Sequence, residues 1–254
     1  MKSINSVDNL IQVIDRQLFT HQFQPIMDIE NNKILGYEGL LRSSFVKNPE
    51  ILFDFAIQTN RLFELDSASI TKAMNNFHNT LKKQSGETYL FLNVYPSSLL
   101  SPEFLPTLDH ICSHLQISPR RLIIELTEYE NIVNLIEMSR QVNRLQDKGY
   151  QIALDDIGKG QQIFEKILEI EADIVKLDRY FTKDISISVH KQKMIKLLIE
   201  YFAERNIKVI LEGIETEKEL QIAKALGVQY MQGYYLGKPD TLENWLLNRY
   251  STSS

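Results

Sequence analysis

One cysteine, Cys112, stands in a chain of 254 residues. A lone thiol closes no intrachain disulfide, so the fold has to rest on its core, and the composition fits a reducing compartment. No apolar run approaches the ~18 residues of a membrane span. The opening stretch MKSINSVDNLIQVIDRQ carries acids and polar residues throughout, unlike the apolar centre of a secretory leader. These absences lead to the expectation of a cytoplasmic protein with no membrane segment. An excess of positive charge is missing too. Lys and Arg number 28 against 33 Asp and Glu, a net charge of −5, which gives no support for DNA or RNA, since those partners usually require a basic footprint. A small anionic ligand whose charge is met by metal ions remains compatible. No low-complexity stretch and no Pro/Gly/Ser linker divides the chain, so residues 1–254 read as a single domain with no attached sensor module.

What is present is an alternation. Eight short apolar runs recur at 21–29, 33–41, 88–95, 121–128, 151–156, 173–178, 207–215 and 228–237. Several are apolar at nearly every position, as parallel strands covered on both sides are. Helical patterns fill most of the gaps. Ile132, Leu135, Ile136, Val142 and Leu145 are spaced for one helix face that stops at Gly149. Thr216 and Glu219 have capping-box spacing. Strand–helix repeats predict a parallel sheet, and eight in about 250 residues predict an α/β fold of the closed TIM-like (β/α)8 barrel type. Only Glu30, Asn31 and Asn32 join the first two runs. A parallel pair needs a long crossover, so the first strand should be antiparallel to the second.

Catalytic residues of such barrels sit at the C-terminal strand ends. There the runs place Glu38 and Arg42, Asn93, Glu125 and Glu128, Asp155 and Asp156, Lys176 and Asp178, Glu212 and Glu215, and Gln232. Each acid alone reads best as a helix cap or a solvated loop residue, and Asp178 and Glu215 are good candidates for that. Together they would repel one another unless cations neutralised them. Hard oxygen donors with one Asn carbonyl suit Mg²⁺ or Mn²⁺, and the absence of His and Cys from the set argues against zinc. Two adjacent acids suit a two-metal site that activates water against a phosphoryl group, with Lys176 orienting the water or stabilising negative charge.

In order along the chain, FQPI (23–26), EGLLR (38–42), FLNVYP (91–96), ELTE (125–128), DD (155–156), VKLD (175–178), EGIET (212–216) and QGYYLGKP (232–239) resemble the EAL-domain cyclic di-GMP phosphodiesterases. The match spans about 20–240, with Gly39 where the family usually has Ala. The resemblance implies a barrel with an antiparallel first strand. It implies hydrolysis of cyclic di-GMP to linear pGpG with Mg²⁺ or Mn²⁺. Glu38, Asn93, Glu125 and Asp155 would hold the first ion; Asp155 and Asp156, with Glu212, would serve the second. Lys176 would contact the attacking water, with Glu212 as a base. Gln24 and Arg42 would bind the dinucleotide. Asp178, Glu215 and Gln232 would order the pocket, and Glu128 would brace the loop after strand five. In the family that loop also makes a dimer contact, so a second copy of the chain is an implied partner.

That loop departs from the family pattern. The family continues DD as FGTGYSS; here it reads IGKGQQI. Gly158 and Gly160 remain, while Lys159, Gln161 and Gln162 replace Thr, Tyr and Ser. Lys159 brings a positive charge toward the second ion, and the expectation is a weakened second site. Three functions follow: a metal-dependent phosphodiesterase, which the intact acids, Asn93 and Lys176 favour; a non-catalytic cyclic di-GMP receptor, which the altered loop favours; or another Mg²⁺-dependent barrel enzyme. His110 and His114, four apart around Cys112, lack the further ligands a zinc site needs and read as a partly exposed helix face.

Overall fold

The computed structural model describes residues 7–82, 88–130, 132, 134–159 and 163–251. Gly160, Gln161 and Gln162 lie outside them. Each predicted run contains a strand: β1 (Thr20–Asp28), β2 (Lys33–Arg42), β3 (Tyr89–Val94), β4 (Leu122–Leu126), β5 (Gln151–Ile157), β6 (Ile174–Leu177), β7 (Lys208–Leu211) and β8 (Tyr230–Met231). They close into a barrel in sequential order. β1 runs antiparallel to both β2 and β8, and the remaining neighbours are parallel. The short link after β1 therefore does what its length allows. The helices are α1 (Val7–Asp15), α2 (Pro49–Gln58), α3 (Leu62–Leu81), α4 (Pro96–Leu99), α5 (Phe104–Leu115), α6 (Leu135–Asp147), α7 (Ile163–Glu169), α8 (Arg179–Thr182), α9 (Val189–Glu204), α10 (Glu217–Ala225) and α11 (Leu242–Ser251).

Residues i and i+2 of a strand share a face. Phe91, Ile123, Ala153, Ile174 and Ile210, with Ile26 and Leu35, form a buried cluster of their own inside the barrel. Two residues further along those strands stand Asn93, Glu125, Asp155, Lys176 and Glu212. An apolar plug thus floors a polar layer. The opposite faces, including Leu90, Leu122, Ile152, Val175 and Leu211, join the large core under the helices. Gly36, two residues before Glu38, is required by space: a Cβ there would lie 2.6 Å from the Tyr89 carbonyl and 2.8 Å from the Phe91 ring.

Gly39 is different. A Cβ there would meet the Ala73 methyl at 3.5 Å and the Phe91 carbonyl at 3.6 Å, both ordinary contacts. Gly39→Ala should stabilise the fold by about 0.4–1 kcal/mol by restricting the unfolded chain. The urea midpoint measures it, and a lowered midpoint would show that β2 depends on the glycine.

Two expectations are corrected. Ile136 is 67% exposed; α6 buries Val142 and Leu145 as expected, with Met138 and Gln141 in place of Ile136. Asn134 caps that helix, so Ile132 precedes it and is a wrong origin for the helical spacing, although it is buried. The run 228–237 holds only a two-residue strand. After Met231 the chain turns, and Gly233 packs against the Ile214 backbone so closely that a Cβ would lie 2.1 Å from its carbonyl oxygen. The Thr216–Glu219 capping box forms in full.

Candidate active site

Neighbouring residues on a regular strand point to opposite faces, so Asp155 and Asp156 should diverge. A bulge prevents it. Leu154 pairs with Val175 and Ile157 with Leu177, so the two aspartates together oppose Lys176 alone. Asp156 takes φ of +52°, a left-handed conformation that Asp adopts more readily than most residues. Gly158 follows at φ +117°, where a Cβ would strike the Phe181 ring at 2.4 Å. Carboxylate oxygens of Asp155, Asp156 and Glu212 consequently lie within 4.8 Å of one another.

Lys176 is the centre of the polar layer. Its side chain is 1% exposed, and Nζ lies 2.8 Å from Glu212, 3.0 Å from Glu125, 3.2 Å from Asp155 and 3.3 Å from Glu38. Burial alone would lower its pKa, but the four carboxylates outweigh that and hold it well above the ordinary range. Glu38 accepts from Asn93 Nδ2 at 2.9 Å and from Gln232 Nε2 at 2.7 Å. Burial would raise its pKa, yet Lys176 and these donors keep it below the usual value. The other acids are less well served. Burial, then Asp155 and Glu38, hold Glu212 at about 7 against the pull of Lys176. Burial, with Asp155, Glu212 and Glu128, raises Asp156 to about 8. Burial drives Glu125 well upward despite Lys176.

The donor chemistry fits hard divalent cations. Every donor in the set is oxygen: Glu38, Glu125, Asp155 and Glu212 share the ammonium of Lys176, and Asp156 pairs with Lys159. Among the described residues Glu125 Oε1 meets Lys176 at 3.0 Å and Oε2 is buried without a hydrogen-bond partner. Asn93 commits its amide nitrogen to Glu38, which leaves its carbonyl oxygen for an ion. Glu125→Gln tests the cost of this arrangement. It removes a buried charge with little change in shape and leaves Lys176 three carboxylates. In chelator it should raise stability by about 1–3 kcal/mol, seen as a higher urea midpoint, while the stabilising response to Mn²⁺ shrinks. An unchanged Mn²⁺ response would remove Glu125 from the ligand set.

The other predicted residues divide among distinct places. Arg42 lines a cavity of about 300 Å³ that also holds Glu38, Asn93, Asp155, Asp156, Lys176 and Glu212. Gln24, Glu215 and Gln232 line an adjoining cavity of about 280 Å³ that shares Glu38 and Glu212 with the first. Gln24 donates to the Gly237 carbonyl, and Glu215 pairs with Arg179 at 2.8 Å. Asp178 caps α8 by accepting from the Tyr180 amide at 2.7 Å. Glu128 does reach the loop after β5, pairing with Lys159 at 3.3 Å.

The first cavity has a wall that sequence reasoning missed. Phe53, Tyr95 and Tyr129 form a stack with centroid separations of 5.0 and 6.0 Å. Asp66, on α3, lines the same space and accepts from the Tyr95 amide at 3.2 Å. Burial lifts its pKa to about 7. One signal was available: Asp66 sits among Leu62, Leu65, Ile70 and Ala73 on the apolar face of its helix, where an acid is out of place.

The family profile of the EAL domain matches residues 7–239. The chain belongs to the EAL domain family. The probable cyclic di-GMP phosphodiesterase PdeB of Escherichia coli is 27% identical over 253 residues, covering 97% of this chain and 48% of that protein. The chain spans less than half the length of the curated relatives it matches. An EAL domain protein of Listeria monocytogenes shares the fold at a TM-score of 0.84 and 24% identity, over 99% of both chains. Klebsiella pneumoniae BlrP1, in its complex with manganese and cyclic di-GMP, is similar at 0.80 and 25% identity over 88% of this chain and 56% of that one. As an EAL domain, the barrel carries the family's strand order, including its mixed strand direction. Among the described residues no helix is long and apolar enough to cross a membrane.

Proposed function

We propose that this EAL domain hydrolyses one phosphodiester bond of cyclic di-GMP to give linear pGpG, with Mg²⁺ or Mn²⁺. The observation that carries the reading is the convergence of four carboxylates on Lys176, with Asn93 on Glu38 and Asp156 beside Asp155, in a cavity that also holds Arg42. Glu38, Asn93, Glu125 and Asp155 would hold one ion, and Asp155, Asp156 and Glu212 the second. Bound there, the pair would supply Lewis-acid stabilisation of phosphoryl oxygens and a water of lowered pKa. The chain's own residues do the rest. Arg42 binds phosphate at the cavity mouth, and Gln24 meets the nucleotide from the adjoining cavity. Lys176 Nζ orients the attacking water, whose oxygen bonds to phosphorus as the bond to the 3′ oxygen breaks. The Glu212 carboxylate, with its pKa held at about 7, accepts the water's proton, and the departing 3′ oxygen takes a proton from solvent.

Labelled cyclic di-GMP with Mg²⁺ or Mn²⁺ tests the reading by formation of pGpG. A receptor is the second reading, favoured by the contact of Lys159 with Asp156 at 3.3 Å; tight nucleotide binding without pGpG would establish it. Neither binding nor product would leave a different Mg²⁺-dependent barrel enzyme. The proposed protein partner is a second copy of the chain. Met194, Leu197 and Tyr201 support it as an exposed stripe at helical spacing on α9, and sedimentation equilibrium measures it.

A further inference from the structure

Lys159 does more than stand near the second ion's ligands. Its Nζ lies 3.3 Å from Asp156 Oδ2, 3.3 Å from Glu128 Oε1 and 3.8 Å from Asp178 Oδ2. Among the described residues it is the ammonium that meets Asp156, as Lys176 meets the other four acids of the layer. The carboxylate it holds belongs to the group of Asp155, Asp156 and Glu212, whose oxygens lie within 4.8 Å of one another. Two further features set its strength. The Lys159 side chain is 53% exposed, so water screens the pair and the ammonium can swing away. Lys166, buried on α7, adds positive potential at Glu128 and Asp155 and is not free to leave.

We propose that Lys159 is a tethered counter-ion that competes with the second divalent cation for Asp156, so that this chain fills its two metal positions in sequence and not together. The inference rests on the two-ion reading above and goes beyond it. The first position draws on Glu38, Asn93, Glu125 and Asp155, none of which Lys159 touches among the described residues, so it loads without disturbing the tether. The second must break the Lys159–Asp156 pair and then bear the repulsion of a cation a few ångströms away. Partial exposure limits the penalty, which we set at about tenfold in affinity, between the values for exposed and buried charges.

The test is a Mn²⁺ titration of the chelator-stripped chain without nucleotide, following free Mn²⁺ by its electron paramagnetic resonance signal. The native chain should bind two ions in two separated classes. Lys159→Met should tighten the weak class about tenfold and leave the tight class unchanged. Lys159→Gln, a polar alternative should the first variant fold poorly, should do the same. Lys148→Met, which removes an equal charge from a lysine paired with Asp109, should change neither class. Equal weak-class affinities in the native chain and the Lys159 variants would overturn the inference and leave the phosphodiesterase reading standing. So would a single class of two ions in the native chain. No retained Mn²⁺ in any of the proteins would overturn both.

Discussion

Glu38→Ala is expected to abolish hydrolysis of cyclic di-GMP at saturating Mn²⁺ while the barrel remains folded. Glu38 is at once a proposed ligand of the first ion and the acceptor for Asn93, Gln232 and Lys176. Its removal frees Asn93 from the bond that orients its amide, so the ion loses one ligand and the alignment of another. The stranded donors should cost about 1–3 kcal/mol of stability, and Gln232 is poorly placed to recover, since among the described residues its Oε1 is already buried without a partner. Glu38→Gln keeps most of the shape and should regain stability without regaining activity. Initial rates with labelled nucleotide, alongside urea midpoints, separate the two effects. Near-native turnover in the alanine variant would show that the first ion is held elsewhere.

Lys176→Ala should have two large consequences, which divide according to metal. With Mn²⁺ present, loss of the group that orients water should lower turnover by ~10²–10³, while nucleotide affinity measured in Ca²⁺ is retained. An equal collapse of affinity and rate would instead make Lys176 an anchor for the ligand. In chelator the effect falls on the fold. Four carboxylates lose the ammonium they share at 2.8–3.3 Å, and an uncompensated buried charge costs about 3–5 kcal/mol. Divalent cations should restore much of that loss. If the variant and the native chain show the same difference in urea midpoint with and without Mn²⁺, Lys176 is not the charge that holds the metal-free layer together.

Much of the barrel was legible in the linear pattern because strands and helices have different periods. Eight apolar runs became eight strands, and the three-residue link after the first revealed its reversed direction. The errors fell where periodicity was counted across an element boundary. Ile132 lies before the Asn134 cap, and adding it to the helical spacing turned Ile136 inward on paper although it faces water. The candidate acids were legible for the same reason as the strands. Asn93, Glu125, Asp155, Lys176 and Glu212 each stand two residues beyond an apolar interior position, as Glu125 follows Ile123 and Lys176 follows Ile174.

By itself, then, the sequence determined the strand and helix repeat, the reversed first strand, the oxygen-only character of the candidate metal ligands and the family resemblance, because these follow from residue type and local spacing. Only the tertiary structure decided which charges meet. Two adjacent aspartates share a site because a bulge and a left-handed Asp156 defeat the strand's alternation. Lys176 answers Glu38 across 138 residues of chain. Arg42 and Gln24 occupy neighbouring cavities, and the aromatic wall of Phe53, Tyr95 and Tyr129 is assembled from three separate segments. Lys159 pairs with Asp156, Glu128 and Asp178 from three successive strand ends. Coulombic energy and desolvation depend on distance and burial, and neither is defined for residues remote in sequence until the backbone has closed on itself.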